Sequence, residues 1–464
     1  MYEFNFEMWH RIRLLPNPVD AMCRTALSRH RSVGGMHFGL LLIAAALSVA
    51  RALPRFSWDT VPLYVHCANE TGPLSPSFAA KAAKTSFVTL EKWHCLACEP
   101  ANHGAEGKMV AEGKRLKALN PALEVMMYFA ADVARTWYDA GVWFDDHSAN
   151  ELRNDSSGAF IGKVQQGSPA DGWRLFDWSQ PAAVARWVQT FTDAVGSGYI
   201  DGAFVDGLQT DRQLEGGVLA GCTAAHKAAF VAGLAEAQAS LGAALGPDRL
   251  VIANIGISGN PAAVRAGDNA RMLETFACQG GFIKMLQDLA PLYVEVHAYD
   301  AHAWKANLVA FLLGAGEHAY WNLGSGEWLC DQGWDVWYDE YDWALGAPLG
   351  NATLTNGTLW RRAFASGTVV TLDVSSKHPR ACIRWSNGNI TSCPPPLGVK
   401  DPGCSGGWWD GNPPGCDDLP PSPPSPPSPP PSPPPAPAGY HCVEGKCVLP
   451  GGTLTKAECD SNCS

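Results

Sequence analysis

Short runs of hydrophobic residues alternate along the chain with longer stretches in which hydrophobic positions recur at helical spacing. The hydrophobic runs lie at residues 62–66, 87–92, 124–129, 200–206, 250–255, 272–276, 292–297 and 319–323. The helical stretches between them include residues 78–84, 107–119, 181–195, 224–245, 280–289 and 303–313. Strands that form continuous apolar runs and are separated by helices are typical of parallel sheets covered on both faces. The pattern therefore predicts an α/β fold built from repeated strand–helix units.

The fourth hydrophobic run, within the segment from Tyr199 to Gly207, ends on a carboxylate, Asp206. Asp201 precedes it by five residues, so at about 3.3 Å per residue the two acids lie roughly 16 Å apart and point to opposite faces. They cannot form one site. Because the C-terminal ends of barrel strands carry chemistry, Asp206 is the catalytic candidate and Asp201 a structural one. The alternative for Asp206 is a helix N-cap after the strand.

Several segments of the chain resemble a known family, among them residues 272–276, which read MLETF and carry Glu274. Residues 176–181 read FDWSQP, residues 201–206 read DGAFVD, and residues 341–348, 359–364 and 367–372 form a closing pattern of a glycine–proline turn and a hairpin. The chain resembles hypothetical glycosyl hydrolase family 15 over residues 53–385, with its motifs FD-x-S-x-P and DG-x-F-x-D. The resemblance implies a (β/α)8 TIM barrel whose strands are the eight hydrophobic runs, and an activity that cleaves glycosidic bonds.

Glycoside hydrolysis requires two carboxyl groups on either side of the scissile bond, one protonated and one ionised. Asp206 and Glu274, at the ends of the fourth and sixth runs, form the predicted catalytic pair. The resemblance makes Asp206 the ionised partner and Glu274 the proton donor. Leu273 and Phe276 flank Glu274 and would favour its protonated form by excluding water. The alternative for Glu274 is a buried, hydrogen-bonded structural role.

Other polar groups near strand ends are predicted to bind the substrate. Lys92 follows Glu91 at the end of the second run, and Asn254 near the end of the fifth run is suited to hold a sugar oxygen. Glu295, on the seventh run beside His297, and Asp132, just beyond the third, are the runner-up acids and are also predicted to bind substrate.

Aromatic side chains are abundant, with 18 tryptophans in the chain. Flat apolar rings stack on sugars, although any one tryptophan is more often a core residue. Trp178 and Trp321 lie nearest the motifs, so these two are predicted to contact the sugar.

The N-terminal region indicates export. Residues 36–52 have the basic flank, hydrophobic core and small-residue cleavage site of a signal peptide. Residues 1–35 are either an over-extended gene model or a long n-region of that signal peptide. The hydrophobic core, at roughly 13 residues, is shorter than the ~20 needed to span a bilayer, so a signal anchor is the lesser alternative. We therefore expect a secreted protein with no stable membrane insertion. Sequons at Asn69, Asn154, Asn351, Asn356 and Asn389 agree with export.

Export also accounts for the cysteines. Of 15 cysteines, only Cys23 precedes the predicted cleavage site, which leaves an even number to pair as disulfides. The predicted local disulfide pairs are Cys382 with Cys393 and Cys404 with Cys416. Cys95 and Cys98, near two histidines, form a C-x-x-C pair that is weak as a zinc motif. We expect no metal site and no cofactor.

Composition divides the remainder of the chain. We predict a catalytic barrel at residues 53–345, a small β appendage at 346–393, a Cys/Gly-rich connector at 394–419, a Ser-Pro-rich linker at 420–438 and a Cys-rich module at 439–464. The linker should extend as polyproline II over roughly 60 Å. The module, held by disulfides, is either a targeting module for cell-wall polysaccharide or an inert tail.

The predicted function is that of a secreted glycoside hydrolase acting on a polysaccharide or glycoconjugate. A net charge of −11 argues against nucleic acid as a partner. The alternatives are a transglycosidase that uses the same carboxylates, and a non-catalytic glycan-binding or wall scaffold protein on a degenerate barrel.

Overall fold

The computed structural model describes residues 53–392, except for residues 102, 132, 162–173, 209–218, 255–269, 275, 277–279, 290–292, 299–303, 325–329, 331–336 and 376–379. Near the C-terminus it also describes the backbone of three short strands. The predicted signal peptide, the Ser-Pro linker, Asp132 and Cys393 lie outside the described residues.

Eight parallel strands form one sheet in which each strand pairs with the next along the chain. The strands are β1 (Val65–Cys67), β2 (Phe87–Leu90), β3 (Glu124–Ala130), β4 (Gly202–Asp206), β5 (Val251–Ala253), β6 (Ala270–Leu273), β7 (Tyr293–Ala298) and β8 (Tyr320–Leu323). The sheet closes through Trp321, whose amide donates to Pro62 (2.8 Å) and whose carbonyl accepts from Tyr64 (3.2 Å). This closed parallel sheet confirms the predicted barrel.

Helices cover the outside of the barrel in the connections between strands. The described helices are α1 (Pro76–Ala82), α2 (Ala105–Leu119), the single-turn α3 (Asp139–Val142), α4 (Pro181–Gly196), α5 (Ala224–Leu245), α6 (Gly280–Leu289) and α7 (Trp304–Gly314). Ser75 and Thr223 cap α1 and α5 by accepting hydrogen bonds from backbone amides of the first turn. Pro76 and Pro181 occupy first-turn positions, where the missing amide hydrogen costs little.

Helix α5 packs closely against the segment that carries the FDWSQP motif. A Cβ atom on Gly233 would lie 1.7 Å from the carbonyl oxygen of Trp178, so only glycine fits there. Among the described residues, α5 alone is long and apolar enough to cross a bilayer, and its buried residues, which include Phe230, Leu234 and Leu241, belong to the barrel core.

A five-stranded antiparallel sheet follows the barrel, inside the segment predicted to be a β appendage. Its strands are β9 (Thr353–Thr355), β10 (Leu359–Ala363), β11 (Val369–Asp373), β12 (Arg380–Arg384) and β13 (Ile390–Ser392), and they pair in chain order. Arg362 ties this sheet to the barrel by donating to the carbonyls of Leu312 (2.9 Å) and Ala315 (2.6 Å) at the end of α7. Burial lowers the pKa of Arg362 to about 10.

Two disulfides lie among the described residues of the barrel region. Cys67 pairs with Cys330 across 263 positions of sequence, and Cys95 pairs with Cys98. The second bond occupies both thiols of the C-x-x-C motif, so that motif holds no zinc in this form. Cys382 is also disulfide-bonded.

Candidate active site

Three polar residues follow one another around the C-terminal end of the barrel. Asp206 is the last residue of β4, Asn254 comes directly after β5, and Glu274 comes directly after β6. All three side chains are half-buried. The amide nitrogen of Asn254 donates to Asp206 Oδ1 at 3.0 Å and to Glu274 Oε2 at 2.8 Å. The structure therefore brings both predicted catalytic carboxylates to one place, bridged by a residue predicted to lie beside them.

The shared amide limits the separation of the two carboxylates. Because one oxygen of each lies within 3.0 Å of the same nitrogen, these two oxygens are less than about 6 Å apart. Carboxyl groups about 5–5.5 Å apart occur in retaining glycosidases, and groups about 6.5–9.5 Å apart occur in inverting ones. The upper limit on the distance between these two oxygens lies closer to the retaining separation than to the inverting one.

Asp206 accepts a second hydrogen bond, from the hydroxyl of Tyr128 on β3, at 2.5 Å. Each oxygen of this carboxylate therefore accepts a hydrogen bond. Burial and the negative charge of Asp206 raise the pKa of Tyr128 well above its usual value, so the phenol keeps its proton and donates.

Lys92 lies next to this pair. Its ammonium group is 4.3 Å from the centre of the Tyr128 ring and forms an ion pair with Glu91 at 2.8 Å. Its side chain is 12% exposed, so a small part of it remains accessible to solvent. Substrate binding by Lys92 stays a prediction.

Below the mouth, a charged network fills the barrel. His66 lies 3.2 Å from Glu295 and 3.8 Å from Glu91, and Thr89 donates to Glu295 at 2.6 Å. Burial lowers the pKa of His66, but the charges and hydrogen bonds of Glu295 and Glu91 outweigh it and raise that pKa to about 9. Burial raises the pKa of Glu91, and the stronger opposing effects of Lys92 and His66 bring it to about 2. The imidazolium form of His66 thus balances the buried acids.

This network corrects the prediction for Glu295. Its side chain is fully buried, with both oxygens bonded to His66 and Thr89, and it lies three residues before the end of β7. It is therefore a structural counter-ion beneath the site and not a group that contacts substrate. Asp132 lies outside the described residues.

The two predicted sugar-stacking tryptophans are core residues. Trp178 is 2% exposed, stacked on Phe176 and in edge contact with Trp187. Trp321 is fully buried, and its indole nitrogen donates to Tyr341 at 3.1 Å. Neither ring has a face open to a ligand, so their assignment to substrate binding is corrected.

Sequence reasoning did not single out Tyr128 or His66. Both carry polar groups inside otherwise apolar strand runs, the signal that identified Asp206. Tyr128 lies two residues before Ala130, which pairs with Asp206, so strand alternation places it on the same face of the sheet.

Residues 117–368 match the profile of hypothetical glycosyl hydrolase family 15, which covers more than half of the chain. The chain belongs to this family. No curated protein matched its sequence significantly.

Several solved structures resemble this member of hypothetical glycosyl hydrolase family 15. A variant of the glycoside hydrolase domain of PelA from Pseudomonas aeruginosa is 15% identical, with a TM-score of 0.27, covering 55% of this chain and 79% of that one. The α-galactosidase AgaA from Geobacillus stearothermophilus is 11% identical, with a TM-score of 0.41, covering 74% and 52%. An α-galactosidase from Lactobacillus brevis is 10% identical, with a TM-score of 0.43, covering 76% and 54%. The chain thus matches about half the length of each galactosidase.

Proposed function

We propose that this protein is a secreted glycoside hydrolase that cleaves a polysaccharide or glycoconjugate with Asp206 and Glu274 as its catalytic pair. The observation that carries the proposal is the double hydrogen bond of Asn254, which draws both carboxylates to the C-terminal rim of the barrel. That rim is where TIM barrels place their chemistry.

In the proposed reaction, Asp206 attacks the anomeric carbon while Glu274 donates a proton to the leaving oxygen. The glycosidic bond breaks, and an ester joins the sugar to Asp206. Glu274, now ionised, takes a proton from water, which attacks the anomeric carbon and releases Asp206. The close approach of the two carboxylates supports this retaining sequence over single displacement.

Tyr128 and Asn254 serve the nucleophile in this scheme. Both donate to Asp206 and orient its carboxylate. When the ester forms, one oxygen of Asp206 bonds to the sugar and the other becomes the ester carbonyl oxygen. The donor that remains on the carbonyl oxygen stabilises it.

The proposal is tested by incubating purified residues 53–464 with a panel of algal, plant and bacterial polysaccharides and oligosaccharides. A hydrolase releases new reducing ends, and proton NMR of the first product shows retention of the anomeric configuration. Products longer than the starting oligosaccharide would support the transglycosidase alternative. Binding without any product from any substrate would favour the scaffold alternative.

The C-terminal region is proposed to target the enzyme to cell-wall polysaccharide. The support is the sequence layout of a barrel, a Ser-Pro linker and a Cys-rich module. Removal of residues 401–464 should preserve turnover of small soluble substrates and reduce retention on insoluble wall material. Equal retention of both proteins would make the module an inert tail.

A further inference from the structure

Three residues of metal-binding types meet near the N-terminal end of α5, and none of them belongs to the candidate active site. Asp155 belongs to the loop after β3, and Cys222 and His226 lie at the start of α5. A carboxylate oxygen, the thiol sulfur and an imidazole nitrogen from these residues all lie within 4.8 Å of one another. Asp155 and His226 are 71 positions apart in sequence, so no spacing motif reveals the group.

The imidazole of His226 is oriented from both sides. Its Nε2 lies 3.0 Å from Asp177 Oδ1, and its Nδ1 lies 2.7 Å from Asp155 Oδ1. Asp177 is itself fixed, because the same oxygen accepts from the amide (3.0 Å) and hydroxyl (2.6 Å) of Ser179. A carboxylate that holds one nitrogen of a histidine, and so presents the other to a cation, is the usual outer shell of a metal site.

Asp155 is held in the same manner. Its Oδ2 accepts from the amide of Thr223 at 2.5 Å, and its Oδ1 faces His226. The oxygen that would bind a cation is therefore not the one that accepts from the Thr223 amide. Ligating carboxylates in proteins are commonly fixed by such a second hydrogen bond.

Cys222 completes the set as a thiol. It is buried and not in a disulfide, whereas Cys67, Cys95, Cys98, Cys330 and Cys382 are all disulfide-bonded. Its sulfur is 3.7 Å from the carbonyl oxygen of Arg153, next to the loop that carries Asp155. A buried thiol beside an oriented imidazole and a carboxylate is a donor set with the N, S and O atoms that Zn²⁺ accepts.

We propose that Asp155, Cys222 and His226 bind a Zn²⁺ ion, with water as the fourth ligand on the exposed side. In a tetrahedral site with Zn–N and Zn–O bonds of about 2.0 Å and a Zn–S bond of about 2.3 Å, ligand atoms lie roughly 3.3–3.6 Å apart. Shifts of about 1 Å reach that geometry from the observed cluster. The ion joins the loop after β3 to the segment that leads from Asp206 into α5.

This inference departs from the expectation that the protein has no metal, and it does not depend on the hydrolase activity. It is tested on purified residues 53–464, reduced under mild conditions, stripped with a chelator and titrated with Zn²⁺ against a chromophoric competitor. We expect roughly one ion per chain. Co²⁺ in place of Zn²⁺ should give the near-ultraviolet charge-transfer band of a thiolate ligand.

Variants locate the site. Cys222→Ser should abolish the thiolate band, His226→Gln should weaken Zn²⁺ binding by more than 100-fold, and Asp177→Asn, which removes only the outer hydrogen bond, should weaken it by about 10–100-fold. His147→Gln is the matched control, because His147 is an exposed histidine stacked on Trp143 and should bind no differently from wild type. Circular dichroism of each variant confirms folding.

Three results would overturn the proposal. They are the absence of Zn²⁺ binding by the folded wild-type chain, a Co²⁺ complex without a thiolate band, and peptide mapping that finds Cys222 in a disulfide. Each is measured on the wild-type protein and so does not depend on whether the variants fold.

Discussion

The hydroxyl of Tyr128 lies 2.5 Å from Asp206, joining the neighbouring strands β3 and β4 at the barrel mouth. Because Asn254 holds the other oxygen of the same carboxylate, the position of Asp206 is determined by donors from both sides. In the proposed reaction, a carboxylate fixed in this manner loses little orientation entropy when the substrate binds.

Tyr128→Phe should lower kcat by about 10–100-fold, with a smaller change in KM, because it removes one donor from Asp206 and leaves the ring in place. The control is Tyr138→Phe, since Tyr138 is a buried tyrosine whose hydroxyl has no hydrogen-bond partner among the described residues. Steady-state kinetics of both variants on the best substrate of the panel measure the difference. Equal losses in the two would remove the special role of Tyr128.

Asn254→Ala should lower kcat/KM by about 10²–10³-fold, because both carboxylates lose a shared donor. Asn254→Asp should be at least as damaging, since it adds a third acid between them. Asn120→Ala, whose side chain donates to Ala83 at the opposite end of the barrel, is the control for loss of an amide. Full activity of Asn254→Ala would show that the bridge is not needed for the reaction.

The His66 network predicts a loss of stability at high pH. The pKa of His66 is about 9 in the folded protein and 6.5 unperturbed, so its stabilisation is fully present below about pH 6.5 and is lost as the pH rises through 9. The change is on the order of 3 kcal/mol in the free energy of unfolding.

Denaturant unfolding at pH 6.5 and pH 10 measures this change. His66→Gln should be much less stable than wild type at pH 6.5, because Glu295 and Glu91 lose their counter-ion. The difference in the free energy of unfolding between the variant and wild type should be smaller at pH 10. His318→Gln, at a half-buried histidine bonded to the carbonyl of Pro54, should show no such narrowing. A constant gap for His66→Gln across the range would contradict the assigned charge.

The two disulfides should differ in their contribution to stability. The Cys67–Cys330 bond closes a loop of 263 positions and the Cys95–Cys98 bond one of 3. Loop-closure entropy assigns about 6 kcal/mol to the first and about 2 kcal/mol to the second. Double serine variants of each pair, unfolded in denaturant without reductant, should therefore lose stability in that order. The reverse order would indicate that local geometry outweighs loop length.

The alternation of hydrophobic runs predicted the elements closely. All eight barrel strands were anticipated, and α5 was predicted at residues 224–245, where it lies. In the structure Thr223 caps its start and Gly246 follows its last residue. The rule that a polar residue at the end of an apolar strand is a site candidate selected Asp206, Glu274 and Asn254. In the structure these three side chains lie together.

Depth inside the barrel could not be predicted from sequence. Glu295 resembles a rim acid until the end of β7 is located at Ala298, three residues later. In the sequence, Trp178 and Trp321 cannot be distinguished from tryptophans that stack on sugars. Their packing against other aromatic rings shows that they are core residues. Leu273 and Phe276 belong to the hydrophobic cluster on the helix side of the strand, so sequence proximity to Glu274 does not define that residue's surroundings.

The central claim is that Asp206 and Glu274 perform the chemistry, and turnover by single variants tests it most directly. Asp206→Asn and Glu274→Gln should fold normally and lose several orders of magnitude in kcat on the best substrate. The control is Asp201→Asn, at the other end of β4, where the carboxylate accepts from the Val125 amide and pairs with Lys117. That variant should lose thermal stability and keep its turnover. Full activity of Asp206→Asn would contradict the account and favour the scaffold alternative.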